Sequence, residues 1–169
     1  MRAFAGSPTR ILVVHLEPDE DLHAGILEAC RAAGMPDAVV VDGHATLDPV
    51  VIHDVTSTGF PIVEGVRRLD GPFELISIDG LVVDGEIHAH ISVANVDAAH
   101  GGHLHAGTKV LYLAEVTILG IAFDSSLRRV HEPGSNRWII TEQTSPETEP
   151  TKGDQPNQSG SAESPSPGT

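Results

Sequence analysis

The stretch Glu86-Ile-His-Ala-His-Ile-Ser-Val-Ala94 decides how this chain is read. Ile87, Ala89, Ile91 and Val93 alternate with His88, His90, Ser92 and Ala94. Alternation with period two is the mark of a half-buried strand, because successive side chains leave a strand on opposite faces. Residues i and i+2 share a face, so His88 and His90 stand side by side. Gly101-Gly102-His103-Leu104-His105 follows shortly, and five of the ten histidines fall between His88 and His105. Neutral imidazole is the commonest metal-binding side chain and titrates near neutrality.

Outward from this block the pattern stays rich in strands. Arg10–Glu17 is a short β-branched run. Pro18 suits the first helical position, with Asp19, Glu20 and Asp21 in the first turn, where negative charge favours the helix dipole. Leu22, Ile26, Leu27, Cys30 and Ala33 then recur at helical spacing, and Gly34 supplies a stop. One amphipathic helix over 19–33 is predicted. Further strands are predicted at Ala38–Asp42, Val50–Val55, Pro61–Leu69, Phe73–Asp79, Val110–Phe123, Leu127–His131 and Arg137–Ile140, with a bulge or bend at Gly120. Phe73, Leu75, Ile76 and Ile78 read as core, and Trp138 as packing the last strand on the body. One helix against many strands gives an α+β fold with a mixed or antiparallel sheet.

From Thr141 to the end the chain carries no Val, Ile, Leu, Met, Phe, Trp, Tyr or Cys. Such a segment cannot bury enough apolar surface to offset the cost of ordering it. The expected organisation is an N-terminal extension over 1–8, one domain over 9–141 and a disordered acidic tail over 142–169. Net charge is −14. The acids Glu142, Glu147, Glu149, Asp154 and Glu163 with Lys152 leave the tail at −4 and the rest at −10. A body this acidic is a poor direct partner for DNA, whose affinity comes largely from Lys and Arg on phosphates. The pairs Arg67-Arg68 and Arg128-Arg129 read as solvated strand ends. Single Cys30 permits no internal disulfide and favours a reducing, cytoplasmic setting. No run is long enough for a membrane span or a signal h-region.

The ordered strings Gly71-Pro-Phe-Glu-Leu75, His88-x-His90, Gly101-Gly-His-Leu104 and Ala114-Glu-Val116 carry a resemblance. Together they resemble the plants and prokaryotes conserved domain, in its stand-alone prokaryotic form, over about residues 10–140. The segment Val40–Leu47 fits that family's glycine-containing turn. The resemblance implies a compact α+β fold, a homotrimer and a role in protein association. It also implies, as in some prokaryotic members, a metal site at His88, His90 and His103. The Arg-Gly-Arg-Pro AT-hook of plant relatives is absent.

Three imidazoles with an open position suit Zn²⁺ and related ions, and Ni, Cu and Fe also accept imidazole. A divalent transition metal, zinc first, is therefore the expected cofactor. His105, His100, Asp97, Glu115 and His44 are candidates for extra ligands or for groups that orient the ligands. Binding and assembly is favoured over catalysis. A cupin would place Glu within a few residues of the second His, and Ile91–Val96 has none. Ser77, Ser92 and Thr108 lie outside any Gly-x-Ser-x-Gly context. The alternatives are a DNA-associated regulator acting through a partner and a metal-dependent enzyme. A homotrimer, with a further protein partner, is the expected assembly.

Overall fold

A computed structural model describes residues 1–143, so the tail expected over 142–169 lies, beyond Gln143, outside the described residues. Ten strands and one helix run in the order β1 (Gly6–Leu16), α1 (Leu22–Ala32), β2 (Ala38–Leu47), β3 (Val50–Val55), β4 (Glu64–Leu69), β5 (Phe73–Val83), β6 (Glu86–Ala94), β7 (Ala99–Leu104), β8 (Val110–Phe123), β9 (Leu127–Glu132) and β10 (Arg137–Glu142). Eight form one sheet in the order β1-β8-β2-β5-β6-β7-β3-β4, and β9 and β10 form a separate hairpin. Every strand pairing is antiparallel. The fold is the expected α+β arrangement.

The helix covers one face of the sheet. Leu22, Ile26 and Cys30 are buried and join Val14, Leu16, Val40, Ile78, Ile91, Val116 and Ile118 in one core. Each fully buried Leu or Ile contributes on the order of 2 kcal/mol. The helix begins three residues later than its sequence predicts. Asp21 is the N-cap and its Oδ1 accepts from the Ala24 amide at 2.9 Å, so Pro18, Asp19 and Glu20 stand outside the helix. The other oxygen of Asp21 accepts from Gly107 N at 2.7 Å, which ties the β7–β8 turn to the helix. A short polar side chain at a cap outweighs proline's preference for the first turn. Gly34, at φ +66°, follows the C-cap and ends the helix as expected.

Bulges explain two further differences. β5 carries one extra residue between Leu75 and Ser77 relative to β6. Ile76 falls there and is 63% exposed, whereas Phe73, Leu75 and Ile78 are buried. Gly120 faces a bulge that lies in β1, between Pro8 and Ile11. β7 is a strand that no alternation announces, since Ala99-His-Gly-Gly-His-Leu104 is two-thirds glycine and histidine. Its place between β6 and β3 sets the site.

Candidate metal centre

His88 and His90 project from β6, and His103 comes from the neighbouring β7, where it is the direct register partner of His90. One nitrogen from each of the three lies within 4.8 Å of the others. The His103 ring stands nearly perpendicular to those of His88 and His90, at 82° and 77°, with centroids 4.5 and 5.5 Å away. Two glycines permit this closeness. A Cβ on Gly80 of β5 would stand 2.5 Å from the His88 carbonyl oxygen and 2.6 Å from Ala89 Cα. A Cβ on Gly102 would stand 3.0 Å from the His53 carbonyl oxygen. β6 and β7 can thus lie tight against β5 and β3.

His103 carries the electrostatic strain of the site. Burial first, then the neighbouring His53, His88, His90 and His105, lowers its pKa to about 3. Its ring is neutral at pH 7 and keeps a free lone pair. Burial and the adjacent Arg129 also lower His88. Among the described residues, His103 Nδ1 and Arg129 Nε are the buried side-chain polar atoms without a hydrogen-bond partner. Leaving such an atom unsatisfied costs about 1–3 kcal/mol, and an ion coordinated through His103 Nδ1 would remove that cost. The donor set therefore fits a transition metal.

A fourth histidine joins the group. His53 of β3 is the register partner of His103 on its other side. Their rings stack with centroids 4.2 Å apart and planes 9° apart. The convergent nitrogens are those of His88, His90 and His103, and His53 is not among them. His53 buttresses His103, and Glu64 Oε1 lies 3.8 Å from its Nε2. A cleft of about 650 Å³ opens over the cluster, lined among others by His53, Glu64, Asn136, Arg137 and Trp138. A smaller recess of about 180 Å³ joins His88 and His103 to Arg129, Glu86 and Trp138. Trp138 is 56% exposed and walls this cleft, unlike the packing role its sequence suggests.

The other candidates lie apart. His105 reaches the edge of the His53 ring, 5.8 Å away. His100 stands edge-on to Phe73 at 5.8 Å. Asp97 lies in the β6–β7 turn, where the Asn95 side chain accepts from its amide, and lines a different cleft with Phe73 and Tyr112. Glu115 and His44 face each other across β8 and β2. Their nearest atoms are 2.9 Å apart, and His15 lies 3.4 Å from the same carboxylate. The sequence offers no motif for His53, Glu64, Arg129 or Trp138. Their approach follows from strand order and from the hairpin folding back, which no local spacing encodes.

The sequence matches the family model of the Plants and Prokaryotes Conserved (PCC) domain over residues 3–122. The fold is similar to a metal-containing protein from Archaeoglobus fulgidus, at TM-score 0.72 and 20% identity, covering 84% of this chain and 100% of that one. It is also similar to a plant- and prokaryote-conserved protein from Pyrococcus horikoshii, at TM-score 0.70 and 24% identity, covering 85% and 99%. A third similar structure is a candidate DNA-binding protein from Bacteroides thetaiotaomicron, at TM-score 0.65 and 14% identity, covering 81% and 97%. No curated protein matches the chain at a significant level. Among the described residues, no helix is long and apolar enough to cross a membrane.

Proposed function

For a chain that belongs to the plants and prokaryotes conserved domain family, we propose a homotrimeric binding and assembly module that carries one divalent transition metal, zinc by preference, on His88, His90 and His103. The observation that carries the reading is the convergence of three imidazoles from two adjacent strands, one of them with an unpartnered buried nitrogen. Similarity to the metal-containing Archaeoglobus fulgidus protein supports it. The ion would organise the mouth of the cleft and supply Lewis acidity there. His53 and Glu64 would hold the His103 ring in place, as groups behind metal ligands do.

The trimer rests on unpaired strand edges. β1 and β4 end the eight-stranded sheet. Ile11 and Val13 on β1 are 69% and 67% exposed, and Val66 on β4 is 64% exposed. Open edges carrying apolar side chains favour association with another copy. Two tests decide the reading. Elemental mass spectrometry on the untagged full chain should find about one ion per chain, lost when His88, His90 and His103 are all replaced by Ala. Sedimentation should give three times the chain mass, and a monomer at micromolar concentration would end the assembly reading.

A DNA-associated role is the second reading, favoured by the naming of the Bacteroides thetaiotaomicron protein. The net charge of −14 disfavours direct phosphate contacts. Action on DNA would need a basic partner. A salt-sensitive shift of duplex DNA by the purified protein alone would overturn that judgement.

A further inference from the structure

Arg129 is placed against the expected order of charge. A cation beside a three-histidine site repels both a protonated imidazole and a metal ion. Yet Arg129 of β9 shares the 180 Å³ recess with His88 and His103. Its Nη2 donates only a long 3.4 Å hydrogen bond to the Leu81 carbonyl, and its buried Nε has no partner. Arg137 of the same hairpin is satisfied by Glu132 at 2.7 Å. Arg128 is exposed. Arg129 alone on this hairpin therefore brings a partly buried guanidinium to the histidines, with Glu86 in the same recess acting on it electrostatically but forming no ion pair with it. Guanidinium groups pair best with carboxylate and phosphate oxygens. The recess has room for a few water-sized groups, at about 30 Å³ each. It opens toward the larger cleft, where Val55, Ile62 and Trp138 offer apolar surface.

We propose that Arg129 and Trp138 make this cleft a receptor for a small organic oxyanion, a carboxylate or a phosphate monoester. Its charged head sits between Arg129 and the three histidines, and its apolar part lies along Trp138. The proposal rests on the metal reading above and extends it to a ligand class. The anion neutralises the repulsion that Arg129 otherwise imposes on an ion held by His88. Residues 127–142, which form the hairpin, lie beyond the stretch matched by the family model.

Trp138 is the single tryptophan, so its fluorescence reports the cleft directly. The full chain loaded with Co²⁺ would be titrated with butyrate and with butyl phosphate. Fluorescence and the visible spectrum of the metal would be followed together. Either probe should shift both signals with saturation, and the tighter probe identifies the head group. Arg129→Gln should weaken the anion at least tenfold while metal affinity in anion-free buffer stays equal or rises. Metal bound normally with neither probe producing a shift, or Arg129→Gln binding the probe as wild type does, overturns the proposal alone. Failure of the wild-type chain to hold metal overturns the metal reading and this extension together. Loss of metal in Arg129→Gln marks the arginine as structural and also overturns it.

Discussion

Two groups of histidines stand on the same sheet and have opposite surroundings. On β6, β7 and β3, His88, His90, His103 and His53 meet mainly one another, with ring centroids 4.2–5.5 Å apart. On β1, β8 and β2, His15 and His44 meet Glu115, which stands between them in register. In the second group a carboxylate oxygen already lies 2.9–3.4 Å from each imidazole. In the first, the carboxylate nearest the rings is Glu64, 3.8 Å from His53. Imidazoles packed together without enough negative charge either stay neutral or take up a cation. Complementary charge, and not the number of histidines, separates the candidate metal site from a surface ion-pair cluster.

The sharpest break between the groups is removal of one imidazole. His103→Ala takes a proposed ligand from the middle of the first group. Losing a group merely behind a ligand costs about 10–100-fold in metal affinity, so losing the ligand should cost more than about 100-fold. Equilibrium dialysis with Zn²⁺ would measure it. His44→Ala in the second group should leave the metal affinity unchanged. Equal effects of the two substitutions would erase the distinction.

Next in size is the spacing of the strands. Gly80→Ala drives a Cβ into the β6 backbone at 2.5–2.6 Å, with no flexible side chain to give way. Overpacking of this kind costs about 1–3 kcal/mol, and it should displace His88 and weaken metal binding as well. Gly101→Ala is the control. Its Cβ would meet Ile91 O at 3.4 Å, an ordinary contact, and it should stay within about 0.5 kcal/mol. Urea unfolding of both variants tests the pair.

The metal-free protein should also lose stability in acid because of the first group. His103 titrates at about 3 when folded, and His88 is lowered too, against an ordinary value of 6.5. As pH falls below 6.5 the unfolded chain binds more protons than the folded one. Stability that is fully present above 6.5 therefore drains away between there and about 3. His103 contributes a slope of at most about 1.4 kcal/mol per pH unit. Urea midpoints at pH 7, 6 and 5 should fall in that order, and more gently in His103→Gln.

Much of this was legible in the chain. Alternation in Glu86–Ala94 gave β6 and put His88 and His90 on one face, and the helical spacing of Leu22, Ile26 and Cys30 gave α1. The rest depends on pairing between distant segments. His53 enters because β3 borders β7, although the two are separated by three other strands in the chain. Arg129, which reads locally as one of a solvated pair, is half-buried because the hairpin folds against β5 and His88. β7 escaped because two glycines and two histidines in six residues give no period. Glu115 and His44, candidate ligands by type, are held by each other.

The smallest expected effect is in the second group. Glu115→Gln removes the carboxylate shared by His15 and His44, whose side chains are 48% and 69% exposed, with Glu115 itself 45% exposed. Exposed pairs contribute about 0–1 kcal/mol because water screens them and long side chains must be ordered to meet. The substitution should therefore lower stability by less than about 1 kcal/mol. Metal content should not change. A larger loss, or a changed sedimentation coefficient, would mean that this face is covered in the assembled protein. The contrast between the groups would then be one of location in the assembly as well as of charge.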